Sequence, residues 1–274
     1  MGWLDRLFGG ERTVRDAEFA GIQYPGGSDE LREMVREHLE SADAGGLGGR
    51  VRGIVAPYGD YEYAGPVMAE AYAPLAERAD DFDRILLIAS STRVPFRGVA
   101  VAAWDALGTP VGEIPVDVEA VEEAVGDELA RPIPAAFEPA AGLELQLPFL
   151  RSTLQGVPCV PALVGDADDE AVTEFMRRLW GDETLVVVAA RLSEGYTAER
   201  AVALDTETVE ALESLEPSEI ERERTTARCA LRSLVEVAGG HGWNVRAAER
   251  ATSADTAGSP DRVVGYAALH VVAE

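Results

Sequence analysis

Two hydrophobic periods alternate along the chain: short apolar runs of strand character and longer stretches at helical spacing. Val51 to Ala56 (VRGIVA) reads as a buried strand ending in Pro57-Tyr58-Gly59, and Arg84 to Ala89 (RILLIA) as a second strand running into Ser90-Ser91-Thr92. Gly98 to Ala103 is a third strand, and Thr184 to Ala190 (TLVVVAA) is the clearest of all. Cys159 to Val164 also reads as a strand, but Pro158 and Pro161 place it at an edge or make it irregular. Helical spacing covers Pro66 to Ala76 after a Gly65-Pro66 start signal, Val118 to Val125, Asp168 to Leu179, Asp205 to Leu215 and Glu219 to Ala238. Leu143 to Leu154 is helical too, kinked at Pro148 or starting there. Trp243 to Glu249 and Arg262 to Val272 close the pattern as strands, the second of them central and well buried.

Strands alternating with helices predict an α/β layered fold, a largely parallel or mixed sheet flanked by helices. The stretch 42–49 (ADAGGLGG) is a flexible joint and 253–261 a polar loop or hairpin connection. Neither divides the chain, so residues 1–274 are expected to form one domain, with 1–18 as an N-terminal extension. No internal repeat is visible.

Composition then narrows the function. Hydrophobic residues at 47% and charged residues at 27% suit a chain that buries a core. The net charge is −25, and all 24 basic residues are arginine. Such a surface either meets a basic partner or is a halophile-type surface that keeps the protein hydrated in salt. The even spread of the acids along the chain favours the second reading. Nucleic-acid binding needs a basic stripe and is not expected. Without lysine there is no Schiff-base chemistry and no P-loop lysine. Cys159 and Cys229 are far apart and are read as thiols with no disulfide framework. No apolar run reaches the length of a membrane span and no secretory signal is seen, so a cytoplasmic protein is expected. Trp3, Leu4, Leu7 and Phe8 share a helical face that is either a membrane or partner hook or a short helix docked on its own domain.

Ligands of open α/β sheets gather beyond the carboxyl ends of the strands. Three such ends are chemically unusual here: Tyr58 to Tyr63 with Asp60 and Tyr61, then Ser91-Thr92-Arg93, then Arg191 to Tyr196 with Glu194. Each has a plain structural account: tyrosines packed with their hydroxyls in water, hydroxyls capping a turn, Arg191 paired with Glu194. Their common placement is what points to a shared pocket. Dinucleotide, nucleophile-elbow, HExxH and Walker motifs are absent, and GLGG at 46–49 precedes a strand instead of opening a helix. His38, His241 and His270 fall in a helix, a loop and a late strand, a spacing that gives no reason for them to converge on a metal.

The same strand ends carry a family resemblance. Residues 20–25 (AGIQYP), 56–66 (APYGDYEYAGP), 109–113 (TPVGE), 143–150 (LELQLPFL) and 263–267 (VVGYA) follow in the order and at the separations of the MEMO family, over about Phe19 to Val272. The chain resembles that family, whose bacterial and archaeal members belong to the AmmeMemoRadiSam system. The resemblance implies a fold similar to class III extradiol dioxygenases. It also implies a site of histidines, an aspartate and a cysteine that binds iron or copper in some members, and possible AMMECR-type or radical-SAM protein partners. At the matching positions this sequence has Tyr58, Ser91 or Thr92, and Ala141 for histidines, Arg191 for the aspartate and Glu194 for another histidine. The cysteine position falls near Glu223. Hydroxyl groups are poor ligands for first-row transition metals unless deprotonated, and Arg191 puts a fixed positive charge where a cation would sit. The expectation is therefore no metal and no cofactor, with Glu144 and Gln146 of the LELQLPFL run as structural supports.

Three functions follow. The first is a non-catalytic binding or scaffold protein that holds a small anionic molecule or a peptide through Arg191 and the tyrosines. The second is an enzyme using Tyr58 or Glu194 as acid or base, with Arg191 stabilising an anion. The third is a metal-dependent enzyme with carboxylate ligands.

Overall fold

The computed structural model describes residues 12–43, 45–76, 78–101, 104–221, 224–256 and 258–274. Trp3, Leu4, Leu7 and Phe8 lie outside them. A mixed α/β architecture results, with a large sheet flanked by helices. Its parallel centre is β2 (Arg50–Ala56), β9 (Thr184–Ala189), β3 (Arg84–Ser90) and β8 (Cys159–Val164), side by side in that order. Gly53 to Ala56 pair with Val186 to Ala189, and Leu86 to Ile88 with Val186 to Val188. Every residue of β9 is buried, because strands covered on both faces are apolar throughout and do not alternate. β-Branched valines fit that pleated, enclosed setting.

Beyond β8 the sheet continues through β4 (Val99–Val101) to β7 (Arg131–Pro132). Beyond β2 it continues through antiparallel β12 (Val263–Ala273), which also pairs with β10 (Glu194–Tyr196) and with its hairpin partner β11 (Asn244–Thr252). A separate three-stranded sheet joins β1 (Val14–Arg15), β5 (Ala106–Thr109) and β6 (Gly112–Pro115). The β5–β6 hairpin holds the TPVGE motif in its turn. The periodicity gave no strand there, because four-residue strands are too short to show a period.

The helices are α1 (Ser28–Ser41), α2 (Tyr61–Tyr72), α3 (Val118–Gly126), α4 (Ala141–Glu144), α5 (Leu147–Thr153), α6 (Asp169–Leu179), α7 (Ala198–Glu213) and α8 (Arg228–His241). Helices α1, α2 and α5 pack on one another, and α6 packs on α8. The buried apolar side chains make one connected cluster.

Four expectations are corrected. Helix α2 starts at Tyr61 and not at Pro66, which lies inside it. Asp60 precedes its first turn and accepts from Ala64 N, so Pro66 costs only the one bond to Glu62, and the buried Val67, Met68 and Ala71 repay that. Helix α7 likewise starts at Ala198, ahead of Asp205, with Thr197 as its cap. Helix α8 starts at Arg228, not Glu219, because the threonines before it are bonded elsewhere, as described below. Finally, β8 is an interior strand despite Pro161. Ile85 N donates to Pro158 O and Ser91 N to Val164 O, so the even-numbered residues face β3. Pro161 therefore turns its missing donor toward β4, where the described pairing begins only at Ala162. The helical spacing of 143–154, kinked at Pro148 or starting there, resolves into α4 and α5, with Pro148 in the first turn of α5, where no N–H is needed.

Candidate functional site

β2, β9 and β3 run parallel, so their carboxyl ends open on one edge of the sheet. From β2 the chain leads through Pro57 to Tyr58, from β9 to Arg191, and from β3 to Ser91. The Arg191 guanidinium lies over the Tyr58 ring, 4.7 Å from its centroid, at the distance of a cation–π contact. Its Nη2 is 3.2 Å from the Glu194 carboxylate, and its Nε is buried with no partner among the described residues. Tyr58 is 4% exposed. A β-carbon on Gly142 of α4 would stand 3.4 Å from its Cε1, so the ring is held between that helix and the guanidinium.

The loop carrying Arg191 is fixed at its backbone. Arg191 N donates to Thr226 Oγ1 at 3.0 Å, while its carbonyl accepts from Thr226 N at 3.0 Å and from Thr225 Oγ1 at 2.8 Å. Thr225 and Thr226 are held at the strand end, with Ala227 N donating to Thr225 Oγ1, so α8 begins only at Arg228. On the other side, Ser193 N donates to the buried Asp205 of α7 at 2.9 Å, and Gly265 of β12 exchanges backbone bonds with Leu192 and Ser193. Burial holds the Asp205 carboxyl above its ordinary range, while the Ser193 bonds pull it down.

Tyr266 of β12 joins this group, although the sequence singled it out only as part of the VVGYA motif. It is 3% exposed, and its hydroxyl oxygen would stand 3.0 Å from a β-carbon on Gly59. Burial pushes its pKa up to about 12, with Arg191 pulling the other way and Asp60 and Glu194 adding to the rise. It is therefore a neutral phenol at neutral pH.

The remaining candidates fall elsewhere. Tyr61 points into the core, donates to Leu145 O at 2.7 Å and packs on Tyr24 and Phe149. Burial holds its phenol far above the usual range. Asp60 accepts from Gln23 Nε2 at 2.7 Å. Ser91 donates to Val94 O at 2.8 Å and borders a cavity of about 120 Å³ with Thr225, Thr226, Arg228 and Cys229. Thr92 is exposed. Glu144 is fully buried and accepts from Arg15 Nη1 at 2.7 Å, Phe19 N at 2.6 Å and Tyr24 Oη at 2.9 Å. Gln146 donates to Pro57 O at 2.9 Å and accepts from Tyr72 Oη at 2.9 Å, bracing the turn before Tyr58. Glu223 lies outside the described residues.

The histidines are dispersed. His270 contacts Ala71 O, His241 stacks on Trp243, and His38 packs where Gly65 lacks a side chain. Among the described residues no three His, Cys, Asp or Glu side chains are gathered as a metal site would gather them. None of the described helices is long and apolar enough to cross a membrane.

The APYGDYEYAGP and LELQLPFL segments meet where Gln146 donates to Pro57 O. The model of the Memo-like proteins matches residues 15–270. The chain belongs to the Memo-like family. A MEMO1 family protein of Methanosarcina mazei is 26% identical over 94% of this chain and 99% of its own length. One of Thermotoga maritima is 26% identical over 92% of this chain and 97% of its own. The yeast MEMO1 family protein MHO1 is 30% identical over a shorter stretch, 52% of this chain and 45% of that protein. The architecture is consistent with the extradiol-dioxygenase-like fold of the family.

Proposed function

We propose that this Memo-like protein keeps the family fold and uses the strand-end site to bind a small anionic molecule or peptide, without the family's usual metal and without turnover. The observation that carries the reading is the Arg191 guanidinium, stacked on Tyr58 at the centre of the strand ends. A permanently charged group there repels a cation and attracts an anion. The donor set points the same way. Neutral imidazole and thiolate suit iron and copper, whereas the groups around Arg191 are phenols and a carboxylate already paired with arginine.

A second reading has its own observation. The Tyr58 and Tyr266 hydroxyls have no hydrogen-bond partner among the described residues, Tyr58 contacts the Arg191 cation and Tyr266 lies within its field, which is also how an acid–base site that stabilises an anion is built. Turnover of a bound ligand would decide for that reading.

The test is titration of the protein and of Arg191→Gln with acetate, succinate and inorganic phosphate, followed by amide NMR shifts. A charge-assisted hydrogen bond contributes about 1.5–3 kcal/mol, so the variant is expected to bind roughly 10- to 100-fold more weakly. Equal binding by both proteins would refute the role of Arg191. Near-stoichiometric iron or copper in protein purified without chelator would refute the reading as a whole.

A further inference from the structure

The anion-binding reading leaves the second charge of the ligand open, and the groups around Arg191 define it. Tyr58 and Tyr266 are both more than nine-tenths buried, yet neither hydroxyl is bonded to a protein group among the described residues, and neither is among the sealed polar atoms. Two phenol donors are thus left over at one place, an arrangement that folding alone does not require. Arg191 is the cation, and Asp60 and Glu194 the carboxylates, that act on the Tyr266 hydroxyl, while the Arg262 guanidinium lies beside Gly195. Glu194 touches the guanidinium at 3.2 Å, and Asp60 directly follows Gly59, which the Tyr266 hydroxyl abuts.

That charge set disfavours a simple anion. A monoanion drawn to Arg191 also meets Glu194 and Asp60, and a dianion such as phosphate meets them with twice the charge. On a chain of net charge −25 the surrounding field adds to the repulsion. A ligand with a carboxylate and an ammonium a few bonds apart uses both signs of charge. Its carboxylate takes donors from Arg191 and the two phenols, and its ammonium takes the half-exposed Glu194 carboxylate. The Arg191–Glu194 ion pair sets the two charges one contact apart, the separation found in the head group of an α-amino acid.

We infer that the strand-end site formed by Tyr58, Arg191, Glu194 and Tyr266 takes a small zwitterion of the α-amino-acid type. This rests on the reading above only in that Arg191 holds an anionic group, and it makes that group the carboxylate of a zwitterion.

The experiment is an NMR titration at constant ionic strength with glycine, L-alanine, L-phenylalanine, acetate, methylammonium and inorganic phosphate, on the wild-type chain, Arg191→Gln and Glu194→Gln. Glu194 is half exposed and Arg191 is partly so, and thermal melting of each variant checks that it is folded. At least one amino acid is expected to bind ten or more times more tightly than acetate, methylammonium or phosphate. Glu194→Gln should weaken the amino acid about tenfold while strengthening acetate, and Arg191→Gln should weaken both. Acetate or phosphate binding as tightly as every amino acid, with Glu194→Gln tightening all of them, overturns the zwitterion and leaves the anion reading standing. No binding by any probe, or binding indifferent to Arg191→Gln, overturns both.

Discussion

At the scale of single residues, the same kinds of side chain serve opposite purposes within a few ångströms of chain. Tyr58 and Tyr61 are three positions apart, yet one carries a guanidinium on its ring while the other donates to Leu145 O in the core. Glu144 and Glu194 differ as sharply. Glu194 is half exposed and pairs with Arg191, whereas Glu144 is sealed and bonded to Arg15, Phe19 N and Tyr24. Glu144 thereby ties the start of the described chain to α4, and it predicts a purely structural phenotype. Removing one partner of a buried pair strands the other charge, typically at about 3–5 kcal/mol. Glu144→Ala is expected to lower the unfolding free energy measured by urea titration by that much, and Glu144→Gln, which keeps an acceptor, by less. A loss below about 1 kcal/mol for the alanine variant would show that Glu144 is not the brace described. The sequence marked Tyr58, Arg191 and Glu194 because strand ends are readable from apolar runs. It passed over Thr225, Thr226 and Asp205, whose roles come from bonds to Arg191 and Ser193 across 34, 35 and 12 positions, and it marked Tyr266 only within the VVGYA motif; no local period encodes those pairings.

At the scale of elements, the site depends on how closely α7 approaches β12. Asp205 reaches the Ser193 amide only because Gly265 has no side chain. A β-carbon there would lie 1.9 Å from Asp205 Oδ2. Gly265→Ala must therefore push the carboxylate away or move the strand, and overpacking of this kind typically costs about 1–3 kcal/mol. The expected outcome is a lower melting temperature together with weaker ligand binding, because the displaced bond holds the loop that carries Arg191. Asp205→Ala should reproduce the binding loss without the clash. If Gly265→Ala binds ligand and melts as the parent does, the α7–β12 contact is not what positions Arg191. The same element-scale logic explains which helix starts could be read. Val118 and Asp169 follow acidic residues and begin apolar spacing, and both helices begin there. Helix α8 starts late because the Arg191 loop competes for its threonines, a tertiary demand that propensity does not contain.

At the scale of the whole molecule, the fold class was legible from alternating elements, and the charge has its consequence here. The chain carries 49 acidic and 24 basic residues. Exposed pairs such as Arg36 with Glu33 and Glu40, or Arg178 with Asp127, contribute about 0–1 kcal/mol each. They leave the excess negative charge in place. That excess opposes compaction through self-repulsion, which salt screens over a Debye length of about 10 Å at 0.1 M and 3 Å at 1 M. Stability is therefore expected to rise with potassium chloride, read as the urea midpoint because guanidinium chloride would itself screen the charge. Screening and salting-out separate by shape. Because the Debye length falls fastest at low salt, charge screening predicts that most of the gain comes below about 0.5 M. Strengthened apolar burial instead predicts a steady rise into the molar range. A midpoint unchanged from 0.05 to 2 M would mean that the acidic surface costs the folded state nothing. A rise confined to molar salt would assign the effect to the core and leave the −25 charge without a role in stability.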